Sequence, residues 1–409
     1  VDKFFSGAPF FVQYDRDMRD VPESILMIPL LANLMPLAWV VGARVHVKTL
    51  DRRFYDSLAS VRASMSRLYP RLKFSGSLMV DHLTEDVPAS GGEHAATLFS
   101  GGVDSLATFL RRKAERPYLI TIWGGDIGLH QQTVWKKVRE HNRSFGEQNG
   151  VENLFLITSM RTFLNEAQIA FHFGRYTRGW WPGVQHGIGT VGLCAPLAHS
   201  LGIGMLYVPS ALPPQLAQVF PDGSSPHVVN RIGWTGTRVR LDGESCTRQD
   251  KVRLIAEDWR SRQTSMMLRV CWSNPQYGNC GVCEKCSRTM TALLAEGIDP
   301  RRAGFPMHED TLQQIRLRLP GWLAADPLRV AFWFEVQQRS LENEAHLPEE
   351  SRSFFAWLQS KNLNPLRRRR HAHRRWIDWI PHSWFLCLKK WLVRPPIVPE
   401  RGRDDVVKT

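Results

Sequence analysis

The feature that most constrains this chain lies past residue 92, where four short apolar runs alternate with longer helix-compatible segments. The runs cover positions 94–99, 118–123 (YLITIW), 154–158 (LFLIT) and 205–208 (MLYV), and helical patterns fill 106–114, 130–147 and 186–200. Apolar runs of four to six residues suit strands buried on both faces, and helical crossovers between them join parallel neighbours. The expected architecture is α/β, a doubly wound parallel sheet with helices on both faces. Ligands of such sheets bind beyond the carboxyl ends of the strands, so chemistry is sought at that edge.

The flanks read differently. Residues 1–92 form an expected α+β unit: Phe54, Leu58, Val61, Met65 and Leu68 share one helical face before Pro70, and 78–82 reads as a strand ahead of the linker Pro88-Ala-Ser-Gly-Gly. The sheet domain then spans 93–298, and a helical region follows at 299–409. Positions 24–43 carry no charge, a length that reaches across a bilayer at 1.5 Å per residue. Pro29, Asn33, Pro36 and Gly42 interrupt that run, and Val45 and Val47 alternate directly after it, so a buried helix is the preferred reading. No signal-peptide pattern opens the sequence, since Asp2 and Lys3 stand where an apolar core would run, and the expected location is cytoplasmic.

At 43% hydrophobic and 22% charged residues the chain has ample apolar material for a packed core, which excludes disordered and collagen-like classes. The formal charge is +14, and residues 361–409 hold thirteen basic against four acidic residues, so much of the excess is local. Arg367, Arg368, Arg369, Arg370, Arg374 and Arg375 precede Trp376, Ile380, Trp384, Leu388 and Trp391 at three- to four-residue spacing, broken by Pro381. Such a tail suits an anionic membrane surface, RNA, an acidic protein partner, or a solvated basic loop ahead of a packed helix.

Two motifs carry chemistry. Residues 99–105 read F-S-G-G-V-D-S, directly after the first strand and directly before a helix. Gly101 and Gly102 let the backbone approach a phosphate, the helix N-terminus offers unpaired N–H groups, and Ser100 and Ser105 add hydroxyls. Asp104 would anchor the loop or hold Mg²⁺ against a pyrophosphate. The G-K-[ST] ending of a Walker loop and the G-x-G-x-x-G fingerprint are both absent. The second motif is Cys271, Cys280, Cys283 and Cys286, spaced C-x8-C-x2-C-x2-C within sixteen positions, with Gly281 at the tight turn. Four thiolates close a tetrahedron around Zn²⁺ and leave no open coordination position, which favours a structural role; an iron–sulfur cluster is the alternative. Cys194, Cys246 and Cys387 receive no role.

S-G-G-x-D-S in this strand-turn-helix setting resembles the PP-loop of the N-type ATP pyrophosphatases, which cleave ATP between the α and β phosphates. The resemblance implies that Ser100, Gly101, Gly102, Asp104 and Ser105 cradle the leaving pyrophosphate, with Trp123, Gly124 and Gly125 near adenine. Loop and cysteine knuckle together, with Arg288 behind the knuckle, resemble the 7-cyano-7-deazaguanine synthase family over about residues 93–298. Trp181-Pro182-Gly183 stands in the place of that family's V-P-G turn, and Arg248-Gln-Asp-Lys251-Val resembles its [TR]-K-x-E-I segment, which would bring Lys251 to the ATP phosphates. Val184-Gln185 replaces the family's Arg-Asn and Trp123-Gly124-Gly125 its Tyr-Gly-Gln, and the flanking regions are additions.

The resemblance implies ATP, Mg²⁺ and Zn²⁺ as cofactors. It implies adenylation of a 7-carboxy-7-deazaguanine-like carboxylate, with Ser100, Asp104 and Lys251 in catalytic positions, and transfer to ammonia or another amine to give an amide or nitrile. Gln185 and His186 are secondary candidates for substrate contact. A PP-loop tRNA thiolase and a noncatalytic nucleotide-binding scaffold are the competing expectations.

Overall fold

The computed structural model describes residues 1–88, 91–177, 179–212, 221–263, 266–271, 274 and 278–363. The basic, aromatic tail and Cys387 lie outside the described residues. Up to residue 365 the chain forms one compact unit, so the linker at 88–92 lies inside it.

Nine strands form among the described residues: β1 Val12–Tyr14, β2 Arg44–Asp51, β3 Ser77–Thr84, β4 His94–Leu98, β5 Tyr118–Trp123, β6 Asn153–Thr158, β7 Ile203–Pro209, β8 Gly233–Trp234 and β9 Thr237–Asp242. Seven of them make the main sheet, in the order β1-β6-β5-β4-β7-β9-β8. The pairs β6-β5, β5-β4, β4-β7 and β7-β9 are parallel, and antiparallel strands close both edges. The chain steps from β4 through β5 to β6 on one side and then returns to place β7 on the other side of β4. That reversal opens a crevice at the carboxyl end of β4, where α/β sheets hold their ligands.

Successive strand residues point to opposite faces, and the two faces are packed differently. Leu119 joins an apolar cluster with Phe109, Phe145, Ile255 and Met290, whereas its neighbour Ile120 joins one with Leu31, Met65, Ile188 and Leu206. The second cluster takes much of its mass from the first ninety residues. These supply the edge strand β1 and a separate two-stranded parallel sheet, β2-β3, joined through helix Arg52–Leu68. Asp51 caps that helix by accepting from Phe54 N at 2.8 Å and also accepts from Thr235 N at 3.1 Å, which ties the unit to the β8–β9 turn.

The uncharged stretch at 24–43 is a buried helix, Ile28–Val41, ended by Gly42 in the left-handed region at φ 71°. Fourteen residues rise about 21 Å, short of the roughly 30 Å hydrocarbon core. Among the described residues no helix is long and apolar enough to cross a membrane. Its Asn33 is fully buried and satisfied: the amide donates to Pro29 O at 2.9 Å and the side-chain oxygen accepts from Gln185 Nε2 at 3.0 Å.

The helix expected at 186–200 is broken. A π-turn at Trp181–Gln185 leads into His186–Gly192, and after Cys194 a second helix runs Ala195–Ser200. Pro196 lacks the N–H a continuous helix needs, so the chain restarts there. Among the described residues past 300 the longer elements are the helices Thr311–Ala325, Pro327–Glu342 and Arg352–Gln359.

Candidate functional site

A cavity of about 300 Å³ opens at the carboxyl ends of β4, β5 and β7. Its floor is Leu98, Ile120, Ile122 and Val208, and the glycine loop forms one wall. Gly101 has φ +74° and turns its Cα toward Asn142 Oδ1 and His141, which a Cβ would meet at 3.0 and 3.3 Å. Gly102 is the N-cap of helix Val103–Arg112. Leu106 N is the first amide to bond back, to Gly102 O at 3.0 Å, so among the described residues the amides of Val103 and Asp104 have no partner at the positive end of the helix. Ser105 Oγ accepts from Ser100 N at 3.2 Å and donates to Gly102 O at 3.1 Å, which sets the loop's curvature from within. His141 Nε2 and Asn142 Oδ1 lie buried behind the loop with no partner among the described residues, a deficit that a bound group or ordered water would meet.

Cations crowd this end. Thr247 and Asp250 build a capping box that starts helix Arg248–Arg262, with Thr247 Oγ1 accepting from Asp250 N at 3.0 Å and Asp250 Oδ2 accepting from Thr247 N at 2.9 Å. Residues 248 and 251, three apart, therefore share a face. Arg248 Nη1 donates to Asp104 Oδ2 at 2.6 Å and Lys251 Nζ to Asp104 Oδ1 at 3.2 Å. Burial alone would raise the Asp104 carboxyl; the charges of Arg248 and Lys251 outweigh it and hold it below the usual carboxylate range. Lys251 is only 3% exposed, also donates to Ser210 O, and stands behind Asp104 rather than in the cavity wall. The wall's cations are Arg248, Arg269 and Lys285. Arg269 braces the loop twice, its N donating to Gly101 O at 2.8 Å and its Nε to Ser100 O at 3.2 Å. Burial, with Arg248 and Arg288 nearby, pushes the Lys285 ammonium down to about 8.

The turn after β5 is placed differently from its sequence reading. Trp123 stacks on Trp135 at 5.3 Å, donates to Gly128 O at 3.0 Å and does not line the cavity. Gly124 has φ +104°, and a Cβ there would lie 1.8 Å from Thr158 O, so glycine is required by close packing against β6. Of the three expected residues only Gly125 lines the cavity, and Asp126 and Ile127 continue the wall. Trp181 closes it from the π-turn, its Nε1 donating to Asp126 Oδ1 at 3.2 Å and its ring lying T-shaped to His186 at 5.0 Å. Gln185 is fully buried and spends its amide on Asn33 Oδ1 and Met160 O. His186 lines the cavity.

The knuckle lies beside this wall. The ligand atoms of Cys271, Cys280, Cys283 and Cys286 all fall within 4.8 Å of one another. Gly281, at φ +72°, faces Pro306 so closely that a Cβ would sit 2.8 Å from its ring and carbonyl oxygen. Cys283 caps helix Glu284–Ala295 and donates its amide to Cys280 Sγ at 3.3 Å. Asn279 pins the two arms, accepting from Val270 N at 3.1 Å and donating to Leu268 O at 2.6 Å. The pairs Cys271–Cys283 and Cys280–Cys286 are each 3.9 Å apart and all the sulfurs lie within 4.8 Å; regular tetrahedra with edges of 3.9 and 4.8 Å have their centres about 2.4 and 2.9 Å from each corner, against about 2.3 Å for a zinc–thiolate bond. The four cysteines thus fit a single metal ion such as zinc. Behind them Glu284 binds Arg288 at 2.8 Å and Trp333 Nε1 at 3.1 Å, which locks the knuckle helix onto Pro327–Glu342.

The glycine loop and Asp104 thus come together at one end of one cavity, with Lys251 bonded to Asp104 from behind and the knuckle adjoining through Lys285. Arg269, Lys285 and Asp126 were not signalled by the sequence: each is a single polar residue without motif spacing, and only the sheet brings them together. No protein-family model matches the chain, and comparison with curated proteins and with solved structures also returns no match.

Proposed function

We propose that this chain is an ATP-dependent carbon–nitrogen ligase on an adenine-nucleotide alpha-hydrolase-like doubly wound sheet: it adenylates a carboxylate and passes the acyl group to an amine. One observation carries the reading, a glycine loop and open helix N-terminus facing the same cavity as three cationic side chains. Such a site is complementary to a polyphosphate. The loop amides and Arg248, Arg269 and Lys285 neutralise charge that accumulates on pyrophosphate as the bond to the α-phosphorus breaks. Asp104, ion-paired to Arg248 and Lys251, would hold Mg²⁺ against the phosphates. The acid's oxygen then needs only in-line positioning, and the resulting acyl adenylate has AMP as a good leaving group.

The apolar and aromatic remainder of the cavity, Ile122, Ile127 and Trp181, suits a flat heterocyclic acid such as 7-carboxy-7-deazaguanine. Zinc is the metal proposed for the knuckle, where four protein ligands would stabilise the fold without taking part in the reaction. In a cubane each thiolate serves a separate iron, which needs a wider set of sulfurs than this one, so the thiolase reading is less well supported. Purified protein with ATP, Mg²⁺, 7-carboxy-7-deazaguanine and ammonium should release AMP and pyrophosphate in equal amounts and stop doing so in Asp104→Ala. Folded protein that yields neither product with any deazapurine acid would leave a noncatalytic nucleotide-binding role.

A further inference from the structure

The wall of the cavity away from the glycine loop holds one group that the adenylation step does not use. His186 lies beside Asp126 and Trp181, and its Nδ1 sits 2.5 Å from Ser224 Oγ. Its Nε2 has no partner among the described residues and is not among the buried unpaired atoms, so it faces the open cavity. Ser224 is held in place on its own account, its amide donating to Asp222 Oδ1 at 2.6 Å. The backbone brings the two together: Gly187 packs so closely on Gly223 that a Cβ would lie 1.9 Å from Gly223 O.

Ser224 Oγ occupies Nδ1, and in the tautomer in which that hydroxyl accepts from Nδ1–H the Nε2 lone pair is directed into the cavity. We infer that His186 is a catalytic base for the second half-reaction, taking the proton from the amine as it attacks the acyl adenylate. The inference rests on the adenylation reading above. The neutral amine nitrogen forms a bond to the carbonyl carbon, the bond from that carbon to the AMP oxygen breaks with its electron pair leaving on AMP, and the nitrogen's surplus proton passes to His186 Nε2 and then to solvent. The acceptor class is a primary amine or ammonia: the Asp126 carboxylate in the same cavity attracts it as an ammonium on arrival, while the Trp181 ring is already covered by the Arg161 guanidinium at 4.7 Å. The residues that would bind the nucleotide's phosphates lie on the other wall, so the two half-reactions use separate groups of this chain.

Separate assays of the two half-reactions test this. Exchange of labelled pyrophosphate into ATP, with 7-carboxy-7-deazaguanine as the acid, reports adenylation alone; amide formation from ammonium chloride reports both steps. His186→Gln should keep exchange within about twofold of the parent and lose about 10²- to 10⁴-fold in amide formation, the range of a general base. Ser224→Ala should lose less, since it frees the tautomer without removing the base, and Gly187→Ala should resemble Ser224→Ala. Amide formation at parental rate in His186→Gln overturns the assignment, as does a parallel fall in exchange while the melting temperature is unchanged. Should His186→Gln fail to fold, His186→Asn is read in the same two assays. Absence of exchange in the parent protein overturns the adenylation reading and this inference with it; exchange that persists while amide formation ignores His186 overturns only the latter.

Discussion

Replacing Cys283 by serine removes one corner of the sulfur tetrahedron, and the consequence is calculable in outcome. Cys283 is the N-cap of helix Glu284–Ala295; eleven of that helix's twelve residues are buried, and six of them join the apolar cluster that also holds Val252, Ile255 and Trp333. With three thiolates left, the proposed ion would no longer clamp arm 268–271 to this helix, and the remaining sulfurs, crowded within 4.8 Å, would lack a counter-charge. Loss of a metal belongs to the few single changes that cost more than about 3 kcal/mol. At roughly 2 °C per kcal/mol for a unit of this size the melting midpoint should fall by about 6 °C or more. Plasma mass spectrometry should find one zinc per parent chain and none in the variant, and Cys246→Ser, outside the cluster, should change neither quantity. A variant with full metal content and an unshifted midpoint would refute the structural-metal account, and iron in place of zinc would refute its proposed occupant.

Two further outcomes follow from buried groups near the site. Burial drives the Glu335 carboxyl up to about 7 from the ordinary glutamate value of 4.5, against the opposing bonds from the amides of Gln249 and Arg248. The folded chain therefore keeps a proton between about pH 4.5 and 7 that the unfolded chain releases, so this group's contribution to stability falls as pH rises through that window; urea melts at pH 5 and 7 should show that slope in the parent, and Glu335→Gln should flatten it. Gly124→Ala would force a methyl to 1.8 Å from Thr158 O at a φ of +104°, a clash plus backbone strain worth about 3 to 5 kcal/mol. Its denaturation midpoint should drop accordingly, and an unchanged midpoint would mean that the β5 turn is not packed as described.

Fold class and the two motifs were legible because they are local. The strand runs announce themselves by apolar length, the loop by its glycines between strand and helix, and the knuckle by cysteine spacing. Asp104 and Lys251, 147 positions apart in sequence, meet because the capping box at Thr247 aims one helix face back at the loop. What stayed hidden is what only tertiary packing decides. Trp123 reads as a ligand contact at a strand's tip, yet its ring stacks on Trp135 and it does not line the cavity. Gln185 reads as a polar residue near a substrate, but it meets the hydrogen-bonding needs of Asn33 in a buried helix 152 residues earlier. The break at 193–194 lies between Gly192 and Pro196, punctuation that a helix reading over 186–200 overrides only at the cost of Pro196's missing N–H. The first ninety residues read as separate, while β1 pairs with β6 and their apolar side chains share a cluster with the main sheet.

The account depends on a polyphosphate seating at the glycine loop, and calorimetric titration with Mg²⁺ and the non-cleavable analogue α,β-methylene-ATP tests this without needing the acid or the amine. One analogue should bind per chain, and Arg248→Met should weaken it about 10- to 100-fold, the worth of one charge-assisted hydrogen bond of roughly 1.5 to 3 kcal/mol. Arg301→Met, at an exposed arginine paired to Asp299 away from the cavity, should bind as the parent does. No heat of binding in the folded parent, or equal affinity in all three proteins, would contradict the claim.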